Sequence, residues 1–99
     1  MKPVVVLADA ARDLELGRDF YDAQALGIGN YFADSLLSDL ESLRLFHGIH
    51  SRHFGFHRML ASRFPFGIYY DKTESEVQVF AVLDLRRDSL WLRRELAGR

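Results

Sequence analysis

Apolar residues recur at helical spacing in the first half of the chain and at nearly every position of short runs in the second half. Residues 3–8, PVVVLA, form a β-branched run that predicts a strand. A helix is predicted from Ala10 to about Gln24, because its apolar residues fall near one face. These residues are Ala10, Leu14, Gly17 and Tyr21, flanked by Leu16 and Phe20. We expect Asp9 to cap this helix, since its side-chain oxygen can accept free amide hydrogens of the first turn.

A second helix is predicted from about Tyr31 to Phe46, after the glycine-rich break ALGIGN at residues 25–30. Its apolar stripe consists of Ala33, Leu36, Leu37, Leu40 and Leu43. Two adjacent helices that are joined by a short glycine-containing turn indicate a helical hairpin.

Three strands are predicted in the second half: HRMLASRF (residues 57–64), FPFGIYYD (residues 64–71) and EVQVFAVLD (residues 76–84). Both faces of the third strand are largely apolar, which indicates a position in the middle of a sheet. Tyr69 and Tyr70 must point to opposite faces, so we expect one of them in the core. Residues 89–97, SLWLRRELA, predict a last short helix with Ser89 as its cap.

This order of elements predicts one α+β domain over residues 1–99, a length that supports a single core. The expected architecture is an N-terminal strand, an α-helical hairpin on a mostly antiparallel twisted sheet, and a short C-terminal helix. We expect the helices to pack on one face of the sheet.

Composition excludes several classes of protein. The chain has no cysteine, which excludes disulfides and thiolate chemistry. No apolar run approaches the roughly 20 residues that span a bilayer, so we expect a cytoplasmic protein without a membrane partner. The net charge of -1 argues against a general nucleic-acid binder. Basic residues nevertheless outnumber acidic ones after residue 46, which leaves room for a local basic face.

Four segments carry a resemblance to a known family. They are ADAARDL (residues 8–14), FYDAQ (residues 20–24), FPFGIYY (residues 64–70) and VQVFAVLDLRRD (residues 77–88). Together with the order of elements, they resemble the RelE/ParE toxins of bacterial toxin–antitoxin systems. The resemblance implies a cognate antitoxin whose carboxyl-terminal segment wraps the toxin. It leaves two targets open, since RelE-like members cut messenger RNA on the ribosome and ParE-like members poison DNA gyrase without being enzymes.

The tail of the chain bears on the choice between these activities. Metal-free RNA cleavage needs activation of a 2′-hydroxyl, stabilisation of phosphorane-like charge and a proton for the leaving oxygen. For a RelE-like enzyme, the resemblance implies Arg58, Arg63 and Arg86 as catalytic cations, with Arg87 as a further candidate. Tyr69, Tyr70 or a histidine of residues 47–57 could substitute as the proton donor. The tail DSLWLRRELAGR, where RelE-like toxins carry a tyrosine or histidine, contains neither. We therefore favour a ParE-like gyrase inhibitor that needs no cofactor.

The residues predicted to contact the target or the antitoxin are Arg58, Arg63, Arg86, Arg87 and Trp91. Each has a structural alternative. Arg58 and Arg63 could face solvent or pair with acidic groups of the helices. Arg86 and Arg87 could close the end of the sheet through an ion pair with Asp88, and Trp91 could cover the core. A family member that binds an antitoxin but is not toxic is a third reading of the whole chain.

The stretch FHGIHSRHFGFHRML, residues 46–60, holds every histidine: His47, His50, His53 and His57. Their spacing permits pairs of metal ligands, but no carboxylate is adjacent to support them, so we predict no native metal site. Two roles remain open for the histidines. They could add positive charge beside Arg52 and Arg58 in acidic medium, or lie in a polar loop without a specific role.

Overall fold

The computed structural model describes all of residues 1–99 and contains a five-stranded sheet and three helices. The strands are β1 (Val4–Val6), β2 (Arg52–His53), β3 (Phe56–Leu60), β4 (Phe66–Lys72) and β5 (Val77–Asp84). The helices are α1 (Ala8–Gln24), α2 (Ile28–Phe46) and α3 (Ser89–Ala97). The predicted α+β class, helical hairpin and last helix are confirmed. None of the helices has the combination of length and apolar character that crossing a bilayer requires.

The sheet has the strand order β1-β5-β4-β3-β2. β1 runs parallel to β5, and the other three neighbouring pairs are antiparallel, so the prediction of a mostly antiparallel sheet is confirmed. β1 pairs only with residues 77–79 of β5. Beyond residue 79, the outer edge of β5 must therefore find other hydrogen-bond partners.

Helices cover both faces of the sheet. The larger core cluster joins α1 and α2 to one face and includes Phe32, Leu36, Ile68, Tyr70 and Val79. The smaller cluster lies on the opposite face, where Leu92 and Leu96 of α3 pack against Tyr69, Ala81 and Leu83. The prediction that all helices share one face is therefore wrong. Both tyrosines are fully buried, because each faces a different helical layer.

A β-bulge in β5 makes this double coverage possible. Tyr69 pairs with Ala81 and Tyr70 pairs with Val79, which leaves Phe80 as an extra residue between the two pairs. The extra residue shifts the alternation, so Val79 and Val82 both face the helical hairpin while Ala81 faces α3. Regular alternation would have put Val79 and Ala81 on the same face.

Both predicted helix caps are wrong. α1 begins one residue before Asp9, and no side chain caps it; Asp9 lies in the first turn. A carboxylate there is still favourable, because it faces the positive end of the helix dipole. α3 is capped by Asp88 and not by Ser89, since the Asp88 carboxylate accepts a hydrogen bond from the Trp91 amide at 2.9 Å. The first strand of the β2–β3 hairpin was not predicted, because two residues carry too short a pattern.

Asp13 and Arg99 close the outer edge of β5 beyond β1. Oδ2 of Asp13 accepts from the Val82 amide at 3.0 Å, and Nη1 of Arg99 donates to the Phe80 carbonyl at 2.9 Å. The two side chains also bond to each other in bidentate fashion, at 2.7 and 3.0 Å. The Asp13 carboxylate holds the pKa of Arg99 above its usual range. This Asp13–Arg99 clasp joins α1, β5 and the end of α3.

We expect Asp13→Ala to lower the free energy of unfolding by about 3 kcal/mol, because it removes the buried carboxylate that pairs with the Arg99 guanidinium and leaves the Val82 amide without its acceptor. The side chains of Asp13 and Arg99 are only 11% and 9% exposed. Urea unfolding followed by circular dichroism measures the change. Arg44→Ala is the control, since its pair with Glu41 is exposed and should contribute less than about 1 kcal/mol. Equal losses in the two variants would contradict the assigned role of the clasp.

Candidate functional site

Arg58 and Tyr69 lie opposite each other on β3 and β4, on the face that α3 covers. A β-carbon at position 67 would lie 3.1 Å from Cδ of Arg58 and 3.2 Å from Cε1 of Tyr69, so both side chains cross above Gly67. The Tyr69 hydroxyl and Nε of Arg58 are buried and have no hydrogen-bond partner. Arg58 forms no salt bridge, so the predicted alternative of an ion pair with the helices does not occur.

Arg86 is held by its neighbour Asp84. Nε and Nη2 of Arg86 donate to the two carboxylate oxygens at 3.0 and 2.7 Å, and its backbone amide donates to Oδ1. These hydrogen bonds lower the pKa of Asp84. Nη2 of Arg86 also lies 3.4 Å from the Tyr21 hydroxyl, which ties the end of β5 to α1. The Arg86 side chain therefore forms an ion pair within the protein, as the structural alternative predicted. Its partner is Asp84 and not Asp88.

Arg63 and Arg87 are exposed and form no salt bridge. Arg63 lies in the connection between β3 and β4. Arg87 stacks on Trp91, with its guanidinium carbon 3.9 Å from the ring centroid. Trp91 is half-buried and packs against the smaller core cluster, so it both covers the core and offers a surface.

Two of the predicted catalytic candidates face different helices. Arg58 lies opposite Tyr69 on the face that α3 covers, whereas the Arg86 side chain reaches Tyr21 of α1. The Tyr69 hydroxyl is fully buried under α3. A proton donor must come within hydrogen-bond reach of its substrate. In this conformation Tyr69 cannot do so, and His50 and His57 pack around Tyr70 on the other face.

A groove of about 430 Å³ lies between α1, the end of β5 and α3. Its lining includes two of the predicted contact residues, Arg87 and Trp91, and two exposed apolar residues of α1, Leu16 and Phe20. The sequence analysis noted Leu16 and Phe20 only as flanking the buried face of α1. Their i, i+4 spacing beside that face was the signal for a second apolar surface.

Each of the four histidines has a hydrogen-bond partner within the protein, which ties residues 47–57 to neighbouring elements. Nδ1 of His47 lies 3.0 Å from the Leu43 carbonyl, at the end of α2. The Tyr70 hydroxyl accepts from the Gly48 amide at 2.9 Å and lies 2.5 Å from Nδ1 of His50. Burial lowers the pKa of His50, and the nearby His57 lowers it further.

His57 completes this arrangement, and His53 lies at the adjacent hairpin. Nδ1 of His57 lies 2.7 Å from the His50 carbonyl, and its ring stacks on Tyr70 with centroids 5.2 Å apart. The sequence could not reveal this network, because Tyr70 reaches it from another strand. His53 lies at the end of β2, where Nε2 is 3.0 Å from the Ser51 hydroxyl.

Comparison with known proteins was made at three levels. No protein-family model matches the chain, and no curated protein matches it. Among solved structures, a chain of the "Chromosomal ParDE TA system from P. aeruginosa" superposes with a TM-score of 0.74. The match covers 83% of this chain and 94% of that chain, at 18% sequence identity. This chain has the RelE/ParE fold. The expected resemblance is thus confirmed at the level of the fold, which fixes the arrangement of helical hairpin, sheet and last helix.

We expect the RelE/ParE fold of this chain to lose stability as the pH falls below about 6.5, the pKa of histidine in the unfolded chain. The pKa of His50 and that of His53 are lowered in the folded state, so the unfolded state binds protons first. Urea unfolding at pH 7.5 and pH 5.5 measures the difference. His50→Gln should make it smaller, and His50→Gln with His53→Gln smaller still. An unchanged pH dependence in the double variant would contradict this assignment.

Proposed function

We propose that this protein, as a single toxin domain of residues 1–99, is the toxin of a toxin–antitoxin pair. Its fold supports this proposal, since the superposed chain belongs to a ParDE toxin–antitoxin system and is covered almost completely. The resemblance of the FPFGIYY and VQVFAVLDLRRD segments agrees with it. A cytoplasmic location follows from this role.

The proposed activity is ParE-like inhibition of DNA gyrase and not RNA cleavage. The observation that favours this choice is the buried Tyr69 hydroxyl, together with Arg58 on the α3 side of the sheet and Arg86 bonded toward Tyr21 of α1. A ParE-like protein acts by binding and needs no catalytic centre. Arg63 and Arg87 are exposed cations without salt bridges, and they are available for contact with a large target.

We expect the purified protein to inhibit gyrase supercoiling and Arg63→Ala to weaken the inhibition several-fold. The Arg63 side chain is exposed and makes no internal hydrogen bond, so its removal should leave stability unchanged. Arg12→Ala is a matched control, since Arg12 is an exposed arginine without a salt bridge on α1. Supercoiling that stays intact at stoichiometric excess of protein would contradict a gyrase target. Codon-phased cuts in primer extension on translated messages would instead establish a RelE-like nuclease.

A cognate antitoxin is proposed to occupy the groove between α1 and α3. Phe20 and Leu16 are 51% and 55% exposed along one side of this groove, and Trp91 and Arg87 line the other side. An apolar side of an antitoxin segment can bury these residues, while its carboxylates face Arg87.

We expect Phe20→Asp to remain toxic when expressed alone but to escape neutralisation by the antitoxin. Burying a charged side chain in an apolar contact without a partner is costly, so binding should fall by more than ten-fold. Growth of cells that co-express the protein with the product of the neighbouring gene measures rescue. Leu26→Asp is the control, because Leu26 is 97% exposed at the tip of the helical hairpin and away from the groove. Full rescue of Phe20→Asp would exclude the groove as the antitoxin site.

A further inference from the structure

The connection between α2 and β2, residues 47–51, is attached to the sheet through one buried hydroxyl group. Tyr70 lies on β4, the middle strand of the sheet, and is fully buried. Its hydroxyl accepts a hydrogen bond from the Gly48 amide at 2.9 Å and lies 2.5 Å from Nδ1 of His50. The Tyr70 hydroxyl therefore joins two residues of the 47–51 connection to the centre of the sheet.

The single hydrogen of this hydroxyl determines which form of His50 fits the site. The Gly48 amide can only donate, so it occupies a lone pair of the hydroxyl oxygen. Nδ1 of His50 is placed to accept the hydroxyl hydrogen, which it can do only when it carries no proton itself. Neutral His50 with its proton on Nε2 therefore satisfies all three groups. A second proton would occupy Nδ1 and leave the buried hydroxyl hydrogen without an acceptor, which is costly.

The groups packed around His50 from β3 and β4 also disfavour its cationic form. The His57 ring of β3 stacks on Tyr70 with centroids 5.2 Å apart. Burial lowers the pKa of His50, and the charge of His57 lowers it further. A β-carbon at position 48 would lie 2.6 Å from Nζ of Lys72, so this ammonium group of β4 lies against the 47–51 connection. A proton on His50 thus adds a third positive group to this side of the sheet.

Charged groups of the other neighbouring elements do not offset this positive charge. The carboxylates of β4 and of the last two turns of α2 are each paired with an arginine: Asp71 with Arg52, and Glu41 with Arg44. The titratable groups that remain, His47 at the end of α2 and His53 on β2, are themselves positive when protonated. His50 therefore has no free anion that would stabilise its charged form in place.

The 47–51 connection has few other attachments. The His50 carbonyl accepts from Nδ1 of His57 at 2.7 Å, and the Ser51 carbonyl accepts from the Arg58 amide at 3.0 Å. Ile49, in the middle of the connection, is 72% exposed, and no residue of the connection belongs to either core cluster. A segment with few buried apolar contacts can open while the rest of a protein stays folded.

We propose that the 47–51 connection is an acid-sensitive latch: protonation of His50 detaches it from Tyr70 while the sheet and the helices stay folded. Opening brings His50 into water, where it regains the ordinary histidine pKa of about 6.5. The open form then binds a proton more readily than the closed form, so acid favours opening. The open population should be about ten-fold larger at pH 5.5 than at pH 7.5. This local opening is distinct from the loss of global stability and does not rest on the toxin assignment.

Amide hydrogen exchange, measured by NMR on the full-length protein at pH 7.5 and pH 5.5, tests this proposal. Each rate is divided by the intrinsic rate at the same pH, which gives a protection factor. We expect the protection of the Gly48 and Arg58 amides to fall about ten-fold at pH 5.5. Low concentrations of urea should not change their exchange, because local opening exposes little surface. The Val77 amide, bonded to the Pro3 carbonyl at 2.9 Å in the sheet, should be better protected and more sensitive to urea.

Two variants and a control separate the latch from other effects of pH. In His50→Gln, the side-chain carbonyl can accept the Tyr70 hydrogen and does not titrate, so protection of the Gly48 amide should be the same at both pH values. Tyr70→Phe should lower this protection at both pH values, since the acceptor of the Gly48 amide is lost. His47→Gln is the matched control. Nδ1 of His47 donates to the Leu43 carbonyl and keeps this bond when Nε2 binds a proton, so the ten-fold change should remain.

Protection of the Gly48 amide that does not differ between the two pH values in the parent protein would overturn the proposal. A ten-fold change that persists in His50→Gln would also overturn it, because another group would then be responsible. Exchange of the Gly48 and Val77 amides with the same protection and the same urea dependence would show that the connection opens only on global unfolding. That result would exclude a latch.

Discussion

The β-bulge at Phe80 is the constraint on which the two-sided architecture depends. Because of the bulge, Val79 and Val82 of β5 face the helical hairpin and Ala81 faces α3. One central strand therefore contributes residues to both core clusters. Each core alone is small, and a protein of 99 residues has little apolar area to divide. The pairing of β1 with β5 ends at Val79, beside the bulge. The unpaired amide and carbonyl at that edge are then bonded by Asp13 and Arg99, which hold α3 in place.

The position of α3 has consequences for function. By covering Tyr69, the helix removes its hydroxyl from solvent, and neither this hydroxyl nor Nε of Arg58 has a hydrogen-bond partner. The same helix contributes Trp91 to the groove beside α1, where Arg87 precedes the helix, and its Arg93 lies against the Phe54 ring. The Asp13–Arg99 clasp stabilises the position of this helix.

Much of the fold could be predicted because the apolar pattern is strong where elements are long. The spacing of Leu36, Leu40 and Leu43 indicated α2, and the three residues are buried as expected. Short-range chemistry was less reliable. Asp9 and Ser89 were each predicted as caps from residue type alone. In the structure, α1 begins one residue before Asp9, and α3 is capped by Asp88. A shift of one residue decides a cap, and apolar periodicity does not locate helix ends so finely.

By itself, the sequence determined the class of fold, the order of the main elements and the resemblance that the ParDE superposition supports at the level of the fold. These depend on local periodicity and on composition, which a linear pattern contains. Only the tertiary structure decided which groups meet. Tyr70 with His50, Asp13 with Arg99 and Phe54 with Arg93 became partners through strand register, the bulge and the docking of α3. Contacts between distant segments depend on how the layers pack, and a single sequence carries no direct record of that packing.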